Sequence, residues 1–276
     1  MSRAKLNGID LHYQTVGSGE PLVLIHGLAC GRRMWARQMR ELGRSCKLII
    51  YDQRGHGLSG APDDPTLYSA AHLTADLIGL LDHLGIWRAH VLGFSLGGGP
   101  ALALALRQPE RVASLILSDV GSAAENVWKL QWLAARWIAM LQRDANELHD
   151  DMLRGDFYKT YANRGPRGRR HMRLLLATTP LPGLKHILAE VIAKRASLYR
   201  QKGTLAKISV PTLVLRGQQD YICLRATQLL AASIPGAEHV IIKGAGHMAP
   251  LEQPQAFNAA VLDFVARHSI ASMGST

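Results

Sequence analysis

Short apolar runs alternate with segments of helical periodicity along most of this chain. Each run ends near a glycine or a polar residue, as buried strands do where they leave a sheet. Strands that alternate with helices favour a mostly parallel central sheet flanked by helices, so the sequence predicts the α/β class. The predicted strands are Pro21 to Ile25, Lys47 to Tyr51, His90 to Leu92, Ser114 to Leu117, Pro211 to Leu215 and His239 to Ile242. The predicted core helices are Ala70 to Leu84 and Ala101 to Leu106.

The alternation stops between positions 122 and 205 and resumes only at Pro211. This stretch carries long helical patterns and three of the five tryptophans, Trp128, Trp132 and Trp137. We interpret residues 122–205 as a helical cap over the carboxyl ends of the strands, inserted into a core of residues 1–121 and 206–276. The three tryptophans do not share one narrow helical stripe, so we expect at least two of them to pack on the core.

The stretch GFSLG at positions 93–97 places Ser95 between two glycines, after a predicted strand and before a predicted helix. A serine on such a sharp turn sits in a strained backbone conformation that lifts its hydroxyl above the sheet. The amide of Leu96 then lies at a helix N-terminus, where it can stabilise an oxyanion. A glycine-rich turn with an incidental serine is the alternative interpretation.

A serine nucleophile needs a base, and the base needs an orienting acid. His247 lies in a loop directly after the last predicted strand, and Asp220 follows the strand Pro211 to Leu215. Asp119 ends the strand before the cap and is a rival for the acid. The local pattern around Asp220 favours it over Asp119.

Several motifs in their chain order resemble those of the α/β-hydrolase fold. They are His26-Gly27, the DQRGHG stretch at 52–57, the GFSLG turn, the GQQD stretch at 217–220 and Gly246-His247. The resemblance implies a triad of Ser95, Asp220 and His247, with a cap inserted after the sixth strand. It also implies that the amides of Leu28 and Leu96 form the oxyanion hole. Among subfamilies, cap-bearing esterases and enol-lactone hydrolases look most similar.

Two histidine-containing loops have simpler interpretations. His26 follows a strand, and the resemblance implies that it braces the oxyanion loop rather than reacts. Asp52 and Arg54 are expected to fix their loop through charge-assisted hydrogen bonds. The stretch GHGLSG at 55–60 matches a dinucleotide-binding pattern, but the following APDDP breaks helices where that site requires one. The sequence therefore predicts no cofactor, and the histidine spacings predict no metal.

The composition of the chain gives expectations about where the protein resides and what it binds. The chain has 276 residues, and none of its apolar runs reaches membrane-spanning length, so no stable membrane insertion is expected. The start of the chain has no apolar signal segment, and three cysteines with no metal motif favour a reducing cytoplasm. The formal charge of +11 favours anionic partners. Nucleic-acid binding is not expected, since no recognition element is present, and the sequence predicts no oligomeric state.

The serine at the turn argues against haloalkane dehalogenases and epoxide hydrolases, which the resemblance associates with aspartate there. The predicted function is a serine hydrolase that cleaves a carboxylic ester through an acyl-enzyme, with a small-molecule ester or lactone as substrate. A lactonase, an enol-lactone hydrolase, a carbon–carbon bond hydrolase or a perhydrolase on the same triad is the alternative. A non-catalytic ligand receptor with this fold is a third hypothesis. Arg169 and Arg170 could bind a carboxylated substrate, or could belong to a solvated loop.

Overall fold

The computed structural model describes residues 2–121 and 127–270. An eight-stranded sheet forms its centre, in the order β1-β2-β4-β3-β5-β6-β7-β8. The strands are β1 (Ser2–Leu6), β2 (Ile9–Val16), β3 (Glu20–Ile25), β4 (Cys46–Tyr51), β5 (Ala89–Phe94), β6 (Val112–Ser118), β7 (Thr212–Gly217) and β8 (Glu238–Ile242). Strands β3 to β8 are parallel, and β2 runs antiparallel to both β1 and β4. The predicted fold class is confirmed.

Helices cover the sheet and fill the long segment between β6 and β7. The core helices are α1 (Ala36–Leu42), α2 (Ala70–His83), α3 (Gly98–Arg107), α10 (Leu224–Ser233), α11 (Ala249–Glu252) and α12 (Pro254–Arg267). The helices between β6 and β7 are α4 (Val127–Leu141), α5 (Ala145–Arg154), α6 (Lys159–Ala162), α7 (Pro166–Leu176), α8 (Leu181–His186), a π-helical turn (Ile187–Ile192) and α9 (Lys202–Leu205). Among the described residues, no helix is long and apolar enough to cross a membrane.

The two strands at the sheet edge were absent from the sequence prediction. β1 and β2 form a hairpin whose turn residues, Asn7 and Gly8, have φ angles of 46° and 80°. Positive φ at both positions is what a two-residue hairpin turn requires, and Asn-Gly is its strongest sequence signal. Burial along β2 alternates because only one face of this strand packs on the core. The Asn-Gly pair was therefore the signal that could have revealed both strands.

The helical insertion, residues 127–205 as the structure describes them, begins after the sixth strand, as expected. Its predicted start at position 122 lies outside the described residues, and its status as a separate domain stays a prediction. The expectation that at least two of its three tryptophans pack on the core is wrong, because only one of them is buried. Trp137 is only 2% exposed, whereas Trp128 and Trp132 are each 59% exposed. Trp128 and Trp132 are about one helical turn apart and share the solvent side of α4, whereas Trp137, five residues further on, faces the interior.

Two buried histidines lie in the loops after β3 and β4, at the carboxyl edge of the sheet. The rings of His26 and His56 meet edge to face, with centroids 4.9 Å apart. His26 Nε2 accepts a hydrogen bond from the Gln53 amide at 2.9 Å, and its Nδ1 lies 2.8 Å from the Gly27 carbonyl oxygen. Burial lowers the pKa of His26 to about 4 and that of His56 to about 3. Both rings are therefore neutral near pH 7, and His26 braces the loop as expected.

Charged residues fix the same loops through separate partners. The Arg32 guanidinium binds the Asp52 carboxylate, which also accepts the Arg32 amide at 2.6 Å. Arg54 binds Asp76 through two hydrogen bonds of 2.6 and 2.8 Å. Asp52 and Arg54 both fix their loop by charge-assisted hydrogen bonds, although each does so with a residue from elsewhere in the chain. The loop after β4 is consequently held from two directions.

The two neutral histidines predict that stability falls in mild acid. In the unfolded chain a histidine binds a proton below about pH 6.5, whereas the folded loops exclude it until about pH 4 or lower. The unfolded state therefore binds more protons in this range. The free energy of unfolding should fall as pH drops from 6.5 towards 4, by about 1.4 kcal/mol per pH unit for each ring. Urea unfolding at pH 7, 6 and 5 measures this slope.

The variant His56→Gln should make the dependence of the unfolding free energy on pH shallower, because one of these two buried histidine rings no longer contributes to it. His12→Gln is the control, since His12 is only partly buried on β2. If His56→Gln left this dependence unchanged, the prediction that His56 lowers stability in mild acid would be wrong.

Candidate active site

Ser95 lies at the junction of β5 and α3, in a backbone conformation that side-chain-bearing residues rarely adopt. Its φ angle is +50°, in the left-handed region that is costly outside glycine. The flanking glycines permit this turn because other backbone atoms come very close. A Cβ on Gly93 would lie 2.5 Å from the Gly97 carbonyl oxygen, and one on Gly97 would lie 2.4 Å from the Ile25 carbonyl oxygen. The GFSLG pattern is therefore a steric requirement of the turn.

His247 connects Ser95 to a buried carboxylate. Its Nε2 lies 3.1 Å from Ser95 Oγ, and its Nδ1 lies 2.9 Å from Asp220 Oδ2. Because an ionised carboxylate only accepts hydrogen bonds, Nδ1 carries the proton and Nε2 is left to accept from the serine hydroxyl. Both His247 and Asp220 are 2% exposed. The structure thus brings together the three residues that the sequence selected, in an order suited to proton transfer from the serine.

Asp119, the rival acid, lies beside Asp220 but has different partners. Its carboxyl accepts hydrogen bonds from the Gly217 amide at 2.8 Å and the Ser118 hydroxyl at 2.7 Å. Complete burial and the negative charge of Asp220 raise the pKa of Asp119 well above its usual range. Burial alone would raise the pKa of Asp220 as well, but the interaction with His247 and further hydrogen bonds lower it. The geometry therefore favours Asp220, which faces His247, as the acid, with Asp119 behind it in surroundings that disfavour a second negative charge.

The loop after β3 lies directly against the serine. A Cβ on Gly27 would come within 3.3 Å of the Ser95 Cβ. The Leu28 carbonyl accepts a hydrogen bond of 2.8 Å from the Tyr158 hydroxyl. Leu96 follows Ser95 in the turn that leads into α3. The two residues predicted to supply the oxyanion amides, Leu28 and Leu96, therefore lie on the two segments that meet at Ser95.

Glu252 supports the His247 loop, and the sequence analysis assigned it no role. Its buried carboxylate accepts the amides of Gly246 at 3.0 Å and Met248 at 3.2 Å, the residues on either side of His247. Arg164, from the helical insertion, lies 3.4 Å from this carboxylate. A glutamate five residues after the histidine was the available signal, but its contacts appear only when α11 turns back on the loop.

Cys223 lies beside the same hydrogen-bonded group. Its Sγ is 3.7 Å from His247 Nδ1, and its thiol donates to the Asp119 carbonyl at 3.2 Å. Asp220, Cys223 and His247 offer possible metal-ligand atoms within 4.8 Å of one another, a cluster that the sequence spacing did not reveal. Burial raises the pKa of the Cys223 thiol well above its usual range, whereas metal binding needs the thiolate. These residues fit a hydrogen-bonded support for His247 better than a metal site, and the absence of a metal stays a prediction.

A narrow cavity opens beside Ser95, between the sheet edge and the helical insertion. Its described lining includes Leu28, Leu96, Leu133, Trp137 and Phe157. Arg195 is the one charged side chain among the described residues that line it. The centres of water-sized groups can occupy a volume of about 30 Å³ inside this cavity. The cavity is thus small, largely apolar and directly accessible to the serine hydroxyl.

The arginines suggested by the sequence for anion binding do not line this cavity. Arg169 and Arg170 are exposed on α7. Arg169 lies 3.1 Å from Asp150, and Arg173 binds the same carboxylate. The charged residue that lines the cavity is thus Arg195 rather than an arginine of α7.

The sequence profile of the α/β-hydrolase fold matches residues 20–254, most of the chain. The chain belongs to this family. The match spans β3 to α11, and so includes Ser95, Asp220 and His247.

Relatives within the α/β-hydrolase fold family carry several hydrolase names. The chain is 30% identical to the 2-hydroxymuconate semialdehyde hydrolase of a Pseudomonas species, over 96% of this chain and 94% of that protein. The crystal structure of the enol-lactonase from Burkholderia xenovorans is 30% identical, with a TM-score of 0.84 over 96% of this chain and all of that one. A thermophilic esterase from Thermogutta terrifontis is 28% identical, with a TM-score of 0.84 over 97% of this chain and 99% of that one.

The difference between the two aspartates predicts different effects of removing their charge. Asp220→Asn should lower kcat by about 10⁴, as loss of the triad acid does in serine proteases. Asp119→Asn should cost far less, because the Asp119 side chain makes no described hydrogen bond to His247. Steady-state kinetics on both variants measures this, with circular dichroism to establish that each is folded. If Asp119→Asn lowered kcat more than Asp220→Asn did, Asp119 rather than Asp220 would be the acid of the triad.

Proposed function

We propose that this protein is a serine hydrolase that cleaves a carboxylic ester through an acyl-enzyme. The observation that carries the proposal is the hydrogen-bonded series from Ser95 through His247 to Asp220, with 3.1 and 2.9 Å between the paired atoms. The left-handed turn at Ser95 supports it, since such strain is retained where it positions a reacting group. The three residues act as nucleophile, base and acid.

The reaction runs in two stages. Ser95 Oγ attacks the ester carbonyl carbon while His247 Nε2 takes the hydroxyl proton, and Asp220 stabilises the resulting imidazolium. The amides of Leu28 and Leu96 hold the oxyanion, and His247 returns the proton to the departing alcohol. Water then attacks the acyl-enzyme with His247 again as the base, and the acid leaves.

The helical insertion acts as a cap in this proposal, because its residues wall the cavity beside the serine. The three cysteines are buried and unpaired, which supports a reducing cytoplasm as the location. A receptor without catalysis is the weaker hypothesis, since a receptor has no need of a serine aligned with a histidine and a buried carboxylate.

Covalent labelling of Ser95 tests the proposal. A fluorophosphonate should add one adduct to the intact mass, and digestion should place it on the peptide that holds Ser95. Ser95→Ala should abolish both the adduct and the hydrolysis of p-nitrophenyl acetate. Ser118→Ala is the matched control and should still label. An adduct elsewhere, or none on folded protein, would contradict the proposal.

Arg195 favours a second candidate, a lactonase or carbon–carbon bond hydrolase that takes a carboxylated substrate on the same triad. A guanidinium in an otherwise apolar lining can bind a carboxylate through charge-assisted hydrogen bonds. The names of two relatives, an enol-lactonase and a 2-hydroxymuconate semialdehyde hydrolase, agree with this chemistry. No described contact favours perhydrolysis.

Two esters of nearly equal size separate this candidate from a neutral esterase. If Arg195 binds the carboxylate, Arg195→Gln should lower kcat/KM for 4-carboxyphenyl acetate by about 10- to 100-fold, the usual worth of a hydrogen bond to a charged group. The kcat/KM for neutral 4-acetylphenyl acetate should change little. Arg195→Lys should retain part of the preference, and exposed Arg170→Gln should leave it intact. An equal loss for both esters would contradict the carboxylate role.

A further inference from the structure

The size of the cavity beside Ser95 limits what the acyl group of a substrate can be. About 30 Å³ is open to the centres of water-sized groups, and one buried water needs about 10 to 15 Å³ by the same measure. The cavity therefore holds about two or three such groups. An acetyl group has this size, whereas each further methylene must displace a wall.

We propose that the substrates are esters of short-chain acids and that Trp137 is the residue that sets the chain-length limit. The proposal rests on the ester hydrolysis proposed above. It adds the class of acyl group and the side chain that selects it.

Trp137 is a large, buried side chain in the described lining. It lies on α4, is 2% exposed, and its indole ring contacts the Phe157 ring at a centroid distance of 6.1 Å. The Phe157 ring in turn meets the His247 ring edge to face at 5.1 Å. The indole is therefore one aromatic ring away from the proposed base, close to where an acyl chain on Ser95 must lie.

Hydrogen bonds keep this wall in place. Trp137 Nε1 donates to Asp151 Oδ2 at 3.0 Å, and the guanidinium of Arg136 binds the other oxygen of the same carboxylate. Asp151 thus fixes the indole from the next helix of the insertion. A longer acyl chain would have to break this hydrogen bond to turn the ring away, which is why Trp137 can act as a limit rather than a flexible contact.

Other large residues of the lining are poorer candidates for this role. Tyr158 binds the Leu28 carbonyl through its hydroxyl, so its loss would disturb the proposed oxyanion loop. Phe157 contacts His247 directly. Trp137 contacts neither Ser95, His247 nor the oxyanion loop in any described hydrogen bond or ring pair, so its removal can change acyl preference while the reacting groups stay in place.

The test compares kcat/KM for p-nitrophenyl acetate, butyrate and octanoate. The unchanged protein should prefer acetate and be slowest on octanoate. Trp137→Ala should raise the butyrate-to-acetate ratio by about 15-fold, since each methylene that finds apolar contact is worth about fourfold. Trp132→Ala is the matched control on the same helix, because Trp132 is 59% exposed, and it should leave the ratio unchanged.

Trp137→Phe keeps most of the packing and removes the hydrogen bond to Asp151, so it should raise the butyrate-to-acetate ratio by a smaller amount. This variant tests the role of Trp137 if Trp137→Ala does not fold. A ratio that neither variant changes, or an unchanged protein that prefers octanoate, would overturn the proposal. Failure of the unchanged protein to hydrolyse any of the three esters would instead overturn the esterase function, and the chain-length limit with it.

Discussion

The left-handed backbone at Ser95 is the constraint on which the rest of the site depends. A non-glycine residue in this region costs on the order of 1–3 kcal/mol and persists only where the surroundings enforce it. Here the enforcement is the close approach of Gly97 to the carbonyl of Ile25 at the end of β3, the strand beside β5. The pairing of these two strands therefore fixes the turn. It also brings the Gly27–Leu28 loop against the serine, so one contact between neighbouring strands positions both the hydroxyl and the segment proposed to supply an oxyanion amide.

Several charges are buried around this turn, and their pairing determines which of them remain charged. His247 lowers the pKa of Asp220 although burial opposes this, whereas burial and the neighbouring Asp220 raise the pKa of Asp119. His26 is neutral because burial disfavours its charged form. A buried carboxylate is costly without such partners, so the two adjacent acids differ in how strongly their surroundings favour a negative charge. The acid that faces His247 is Asp220, whose charge is the more favoured of the two.

The features that the sequence predicted correctly are those specified by residues close together in the chain. The parallel strands, the turn at Ser95, and the loops that carry Asp220 and His247 each have apolar runs or glycines within a few residues, and the structure places them together. The sequence did not predict Glu252 as the support of the His247 loop, nor Arg195 as the charged lining residue, because both roles arise from contacts across the fold. A spacing of four and five residues could not show which tryptophan of α4 faces inward. That depends on the rotation of the helix against its neighbours, which no local pattern specifies.

Arg164 and Phe157 of the helical insertion each contact the His247 loop. Arg164 donates to the Gly244 carbonyl at 2.6 Å and lies 3.4 Å from Glu252, whose carboxylate binds the amides beside His247. Phe157 contacts the His247 ring itself and also the Trp137 indole. A displacement of the insertion that enlarged the cavity would therefore act on the loop that carries His247. Because the insertion both lines the cavity and supports this loop, the size of the cavity and the position of His247 are physically coupled. Trp137 is the exception, since it makes no described hydrogen bond or ring contact with the His247 loop.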